Sequence, residues 1–188
     1  VYDIPVICVG NLSVGGTGKS PMIEYLIDLL REDYQVAVLS RGYKRKTNGY
    51  KEVLKTSTAE EVGDEPLQFK QKFSKVTVAV CADRREGIEK LRSKAEIILL
   101  DDAFQHRKVK PSYHIMLTPF HDLYLDDLVV PAGNLRESRK GVKRANVVVV
   151  TKCPENLSYA KMQEIQSMTF LKILIIPKQS KVLEPIKI

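Results

Sequence analysis

The run SVGGTGKS, residues 13–20, follows the apolar stretch IPVICVG and leads directly into PMIEYLIDLL. Strand, glycine-rich turn and helix in that order is the context of a phosphate-binding loop. It constrains the fold more than anything else in the chain. Such a loop needs a buried strand to launch it and a helix whose N-terminus, the positive end of its dipole, faces the anion. The glycines let successive backbone N–H groups close around phosphate oxygens. Ser13, Val14, Gly15, Gly16, Thr17, Gly18, Lys19 and Ser20 are therefore the candidate nucleotide-binding set. Lys19 has the reach to touch β- and γ-phosphates, and the Ser20 hydroxyl is a ligand type suited to Mg²⁺. Strict Walker A spacing has glycine where Ser13 stands. The plain alternative is a glycine-rich turn that binds nothing.

The rest of the chain alternates in the same manner. Strands are predicted over residues 4–9, 35–40, 75–80, 96–100, 114–117 and 146–151, and helices over 21–31, 66–73, 84–94 and 159–168. Several strand candidates are apolar almost without interruption, which is the signature of parallel strands covered on both faces. The order predicts an α/β fold, a doubly wound and mainly parallel sheet of the P-loop NTPase type. Ligands of such sheets sit beyond the carboxyl ends of the strands. Residues 47–58 are polar and read as a small hairpin or loop insertion. Residues 1–176 are expected to form one core, with 177–188 the start of, or link to, a second lobe. Val1 opens almost on the first strand, so the chain reads as a fragment.

With 188 residues, 44% hydrophobic and 28% charged, the chain is an ordinary globular one. No apolar run approaches the roughly 20 residues that span a bilayer. Cys8, Cys81 and Cys153 are scattered, odd in number and set in apolar surroundings, which predicts reduced thiols acting as small core residues. The net charge of +7 favours a polyanionic partner: nucleotide, nucleic acid or an anionic membrane.

A second motif is EIILLDD, residues 96–102. A hydrophobic strand ending in acid is the Walker B pattern, with Asp101 or Asp102 holding the metal opposite the loop serine. GDEP, residues 63–66, opens a predicted helix. There Asp64 is either an N-cap or a carboxylate that accepts a proton from an attacking hydroxyl, with Glu65 in the metal shell. AFQHR, residues 103–107, brings Gln105 and His106 directly behind the acids. SRGYKRK (40–46), DRREG (83–87) and PAGNLRE (131–137) supply Arg41, Arg84, Arg136 and Glu137 as candidates for an acceptor site. An arginine fork suits a second phosphate, and a solvated charge cluster is the plainer account. VVVVTKCP, residues 147–154, is similar to the guanine-reading [NT]KxD loop of GTPases, but Pro154 stands where the acid would be. GTP loses its main acceptor, so ATP is the expected nucleotide.

Taken together, GNLSVGGTGKSP (10–21), SRGYKRK, GDEP, CADRREG (81–87), LLDDAFQHR (99–107), PAGNLRE and VVTKCP (149–154) resemble the tetraacyldisaccharide 4'-kinase family of the lipid A pathway. The resemblance spans most of the chain in order. It implies transfer of the ATP γ-phosphate to the 4'-hydroxyl of a tetraacyl-disaccharide 1-phosphate, with Mg²⁺, at the cytoplasmic face of the bacterial inner membrane. The implied partners are the glycolipid and the anionic inner-membrane surface, and not nucleic acid. In the family the Asp of GDEP is thought to act as base, and Asp64 matches it. The resemblance also implies an N-terminal hydrophobic helix and a second lobe. By this reading Lys19 and Asp64 are catalytic. Ser20, Asp101, Asp102 and Glu65 hold the metal, and Arg41, Arg84, Gln105, His106, Arg136 and Glu137 bind the acceptor.

Overall fold

The computed structural model describes residues 2–167 and 171–177. In chain order the elements are β1 (Val6–Asn11), α1 (Lys19–Leu30), β2 (Val36–Ser40), β3 (Lys51–Glu52), α2 (Ala59–Val62), α3 (Asp64–Lys72), β4 (Thr77–Val80), α4 (Arg84–Leu91) and β5 (Ile97–Asp101). They continue with β6 (Tyr113–Pro119), a 3₁₀ helix over Arg139–Arg144, β7 (Val147–Cys153), α5 (Tyr159–Ser167) and β8 (Lys172–Pro177). The chain divides into two compact units, Val1–Val9 with Ser20–Tyr113, and Gly10–Lys19 with His114–Ile188.

In the first unit β1, β5, β2 and β4 lie side by side and parallel. Val6 pairs with Ile98, and Val38 pairs with both Leu99 and Val78. β3 joins β4 antiparallel, Lys51 opposite Val80. All five residues of β2 are buried, as are all five of β5. Alternate residues of a strand point to opposite faces, so both faces of this sheet are covered. One face carries Val6, Cys8, Ala37, Leu39, Ala79, Ile98 and Leu100, against which α4 packs Ile88 and Leu91. The approach is close at Gly87, where an added Cβ would lie 2.5 Å and 2.7 Å from the two terminal carbons of Leu39. α1 buries Met22, Ile23, Leu26 and Ile27, the i, i+1, i+4, i+5 stripe of an amphipathic helix.

In the second unit β6, β7 and β8 are parallel, with Ile115 opposite Val147 and Val150 opposite Ile175. α5 sets Ile165 against Val150 and Cys153.

The predicted α/β alternation is present, with boundaries moved by a few residues. Residues 47–58 do hold a short strand, β3. Three elements were not anticipated. α2 is a single turn that begins after Thr58, whose N–H donates to Glu61 Oε2 at 3.0 Å. The 3₁₀ helix has Ser138 at its N-cap, its side chain accepting from the Lys140 N–H. β8 is the apolar run KILIIP, which pairs with β7. Residue 168 of the last predicted helix, and residues 178–188 of the expected second lobe, lie outside the described residues. The three cysteines are buried thiols, and burial pushes that of Cys8 up to about 12, which keeps it protonated and inert. Among the described residues no helix is long and apolar enough to cross a membrane.

Candidate active site

The glycine-rich loop is held in shape from within the second unit. β1 ends on Asn11, a fully buried polar residue. Its Nδ2 donates to the Ser13 carbonyl at 2.6 Å, and its Oδ1 accepts from Lys19 Nζ at 3.3 Å. One side chain thus fixes both the entrance of the loop and its lysine. Residues 134–136 clamp the loop from another direction. The Val14 N–H donates to the Asn134 carbonyl and the Arg136 N–H to the Leu12 carbonyl, each at 2.7 Å. Ser13 and Leu135 form an antiparallel bridge. Gly15 and Gly18 have φ of 107° and 93°, a region closed to most side-chain-bearing residues. From the end of β7, Thr151 Oγ1 donates to the Thr17 carbonyl at 2.8 Å and Lys152 Nζ to the Gly16 carbonyl at 2.6 Å.

In the first unit α1 runs on from the loop, and Ser20 Oγ donates to Glu65 Oε1 at 2.5 Å. A hydroxyl and a carboxylate oxygen side by side are hard donors of the type Mg²⁺ takes, and that ion completes its shell with water and substrate phosphate. Glu65 is delivered by α3, whose N-cap is Gly63 at φ 90°. Asp64 is therefore the first residue of the helix and not its cap. The capping alternative falls, and the Asp64 carboxylate is exposed.

Asp101 ends β5 opposite Val9 and is fully buried. Its Oδ2 accepts from Ser40 Oγ, at the end of β2, at 3.1 Å. Asp102, the next residue, takes φ 46°, which turns its backbone sharply off the strand. Arg84 is 2% exposed. Its guanidinium donates to the carbonyls of Cys81 at 2.5 Å, Ala82 at 3.4 Å and Asp101 at 3.3 Å. Arg84 therefore ties the ends of β4 and β5 together. His106 Nε2 lies 3.9 Å from Asp83 Oδ1. Burial, then the positive charge of Arg84, pulls the His106 pKa down, which favours neutral imidazole. Asp83 caps α4 by accepting from the Arg85 N–H at 3.0 Å. Hydrogen bonds from Arg85 hold its carboxyl far below the usual carboxylate range. Arg41 is exposed just beyond β2, and Gln105 is half-buried. In the second unit Arg136 is exposed, while Glu137 grips Arg144 bidentately at 2.6 Å and 3.0 Å.

Four residues of this arrangement went unassigned in the sequence reading: Asn11, Ser40, Thr151 and Lys152. Each is a polar residue at the carboxyl end of a strand, the one signal that could have marked them.

Comparison with known proteins agrees with the geometry. The family model for LpxK, tetraacyldisaccharide-1-P 4'-kinase, matches residues 1–186. The tetraacyldisaccharide 4'-kinase of Flavobacterium psychrophilum is 59% identical over 168 residues, 88% of this chain and 49% of that protein. Its counterpart in Flavobacterium johnsoniae is 61% identical over the same shares of the two chains. The chain thus spans about half the length of the curated relatives it matches. Among solved structures, LpxK from Aquifex aeolicus in complex with ATP superposes with a TM-score of 0.73 at 30% identity, covering 97% of this chain and 75% of that one. A putative plasmid partition protein from Borrelia burgdorferi bound to AMPPNP, at 13% identity and a TM-score of 0.53 over 95% of this chain and 89% of that one, shares the fold alone. The fold is that of a P-loop NTPase, and the chain belongs to the tetraacyldisaccharide-1-P 4'-kinase family.

Proposed function

We propose that the protein carrying this chain is an ATP-dependent kinase that phosphorylates the 4'-hydroxyl of tetraacyl-disaccharide 1-phosphate. The observation that carries this reading is the phosphate loop of a family member, with Lys19 Nζ tethered to Asn11 and the Ser20 hydroxyl against Glu65. Backbone N–H groups of residues 13–18 and the ammonium of Lys19 neutralise the β- and γ-phosphates. Ser20, Glu65 and an acid of the Asp101, Asp102 pair would hold Mg²⁺, which would offset charge on the phosphate oxygens. Asp64 accepts the proton of the 4'-hydroxyl as its oxygen bonds to the γ-phosphorus. The bond from that phosphorus to the bridging oxygen breaks, and ADP leaves. Arg41, Gln105, His106, Arg136 and Glu137 orient the disaccharide head. Arg84 acts from behind, holding the end of β5 where Asp101 stands. Positioning and electrostatics supply nearly all of the rate in such transfers.

Residues 1–176 are the kinase core in this reading, and 177–188 lead towards a second lobe. The protein works on the cytoplasmic face of the bacterial inner membrane, where Lys44, Lys46, Arg139, Lys140 and Lys143 meet anionic lipid at about 1 kcal/mol per cation near the surface. The test is transfer of radiolabel from γ-labelled ATP to the disaccharide lipid by the whole protein. Label at the 4'-position is expected, and ATP binding without lipid-dependent transfer would sink the proposal.

A further inference from the structure

Residues 151–154, TKCP, are similar to a base-reading loop that has lost its acid, and the transfer reaction gives them no part. Their backbone is irregular in a specific way. Val150 pairs with Ile175 and Cys153 with Pro177, so β7 carries one residue more than β8 over this stretch. A register shift of this kind re-aims side chains at a strand end, as a β-bulge does. Lys152 adopts φ 57°, a left-handed conformation that side-chain-bearing residues enter at a cost. It falls within the stretch where the register of β7 against β8 shifts. Backbone outliers of this kind cluster where the surroundings over-determine them.

The irregularity turns two neighbouring side chains onto consecutive carbonyls of the phosphate loop, Thr151 onto Thr17 at 2.8 Å and Lys152 onto Gly16 at 2.6 Å. Thr151 also packs on Gly18, its methyl 3.7 Å from where a Cβ would be. A trans peptide is planar, with carbonyl and N–H pointing opposite ways. The Gly16 carbonyl shares its plane with the Thr17 N–H, and the Thr17 carbonyl with the Gly18 N–H. Holding both carbonyls from the β7 side therefore turns both N–H groups away from β7. The ammonium of Lys152 further polarises the peptide it binds. The Thr17 N–H makes only a long 3.2 Å turn contact to the Gly15 carbonyl, which an anion can replace.

We propose that Thr151 and Lys152 are positioning residues that brace the phosphate loop, so that the Thr17 and Gly18 amides are presented to the nucleotide before it arrives. The inference rests on the phosphate-loop reading above and extends it to residues of another strand. Lys152 is exposed, so its replacement leaves the core intact.

The test compares the full chain with Lys152→Met, Thr151→Val, Lys152→Arg and Lys19→Ala. Mg-ATP affinity is measured by calorimetry, and hydrogen exchange of the 16–18 amides without nucleotide. Lys152→Met is expected to weaken ATP about tenfold and to speed exchange at Thr17 and Gly18, with an unchanged melting temperature. Lys152→Arg, which keeps the donor, restores most of the affinity. Thr151→Val follows Lys152→Met in direction. If Lys19→Ala abolishes binding while Lys152→Met binds and exchanges like the parent, the brace is refuted and the phosphate-loop reading stands. If Lys19→Ala binds ATP like the parent, that reading falls and the brace with it.

Discussion

Asp64 is exposed at the first position of α3 and caps nothing, so its role is separable from folding. On the proposed base role, Asp64→Asn should lower turnover of the whole protein by a hundredfold or more, the scale of general base catalysis. The Kd for ATP and the melting temperature should stay near the parent values. A melting temperature that drops while turnover per folded molecule survives would refute the base role. Pro154 supports a second prediction. Thr151 and Lys152, just before it, bond to carbonyls of the phosphate loop, and Pro154 stands where the acid that accepts from a guanine ring would be. Pro154→Asp should raise GTP affinity relative to ATP about tenfold in a calorimetric comparison, since an added hydrogen-bonding partner discriminates strongly. At this scale the motif residues were legible because loop chemistry needs specific residue types at fixed spacing. Asn11 and Lys152 were not, because their effect depends on which carbonyl each side chain reaches.

The elements show the same division. Strand runs such as VAVLS and IILLD are read from continuous apolarity, since both faces of the sheet are covered. α4 carries a sharper constraint. Gly87 faces Leu39 and Cys81, and an added methyl would lie 2.5 Å from Leu39 and 3.2 Å from the Cys81 Cβ. Gly87→Ala should therefore destabilise the chain by about 1–3 kcal/mol, the cost of overpacking a filled core. This exceeds the small gain in helix propensity that alanine brings to a helix interior. Urea denaturation measures it, and a variant more stable than the parent would show that the Leu39 side chain or α4 gives way at little cost. In the sequence the glycine reads only as part of DRREG. The 3₁₀ helix depends on its Ser138 cap, whereas β8 carries in KILIIP the same continuous apolarity as VAVLS and was legible in the sequence.

For the whole molecule, pH dependence of stability follows from groups in both units. Burial and nearby arginines, Arg84 for His106 and Arg144 for His114, lower both pKa values from the ordinary 6.5. The unfolded chain then binds more protons than the folded one as pH falls past that value, so stability declines there. Asp83 and Glu61, held low by hydrogen bonds from Arg85 and Lys51, give up their contributions only in the more acid range. Urea midpoints at about pH 7.5 and about pH 5.5 should differ, and His106→Asn combined with His114→Asn should shrink the difference. An unchanged slope in that double variant would refute the assignment. The sequence by itself determined the α/β alternation, the phosphate loop, the acids at the end of β5 and the family, because periodicity and motif spacing are local properties of the chain. Only the tertiary structure decided that Asn11 tethers Lys19, that Arg84 is bonded to the chain's own carbonyls, that Asp64 is no cap and that Thr151 and Lys152 reach carbonyls of the phosphate loop. The contacts of Thr151 and Lys152 join residues more than 130 positions apart, and those of Asn11 and Arg84 span few residues but form only once the strand ends are buried and set in register.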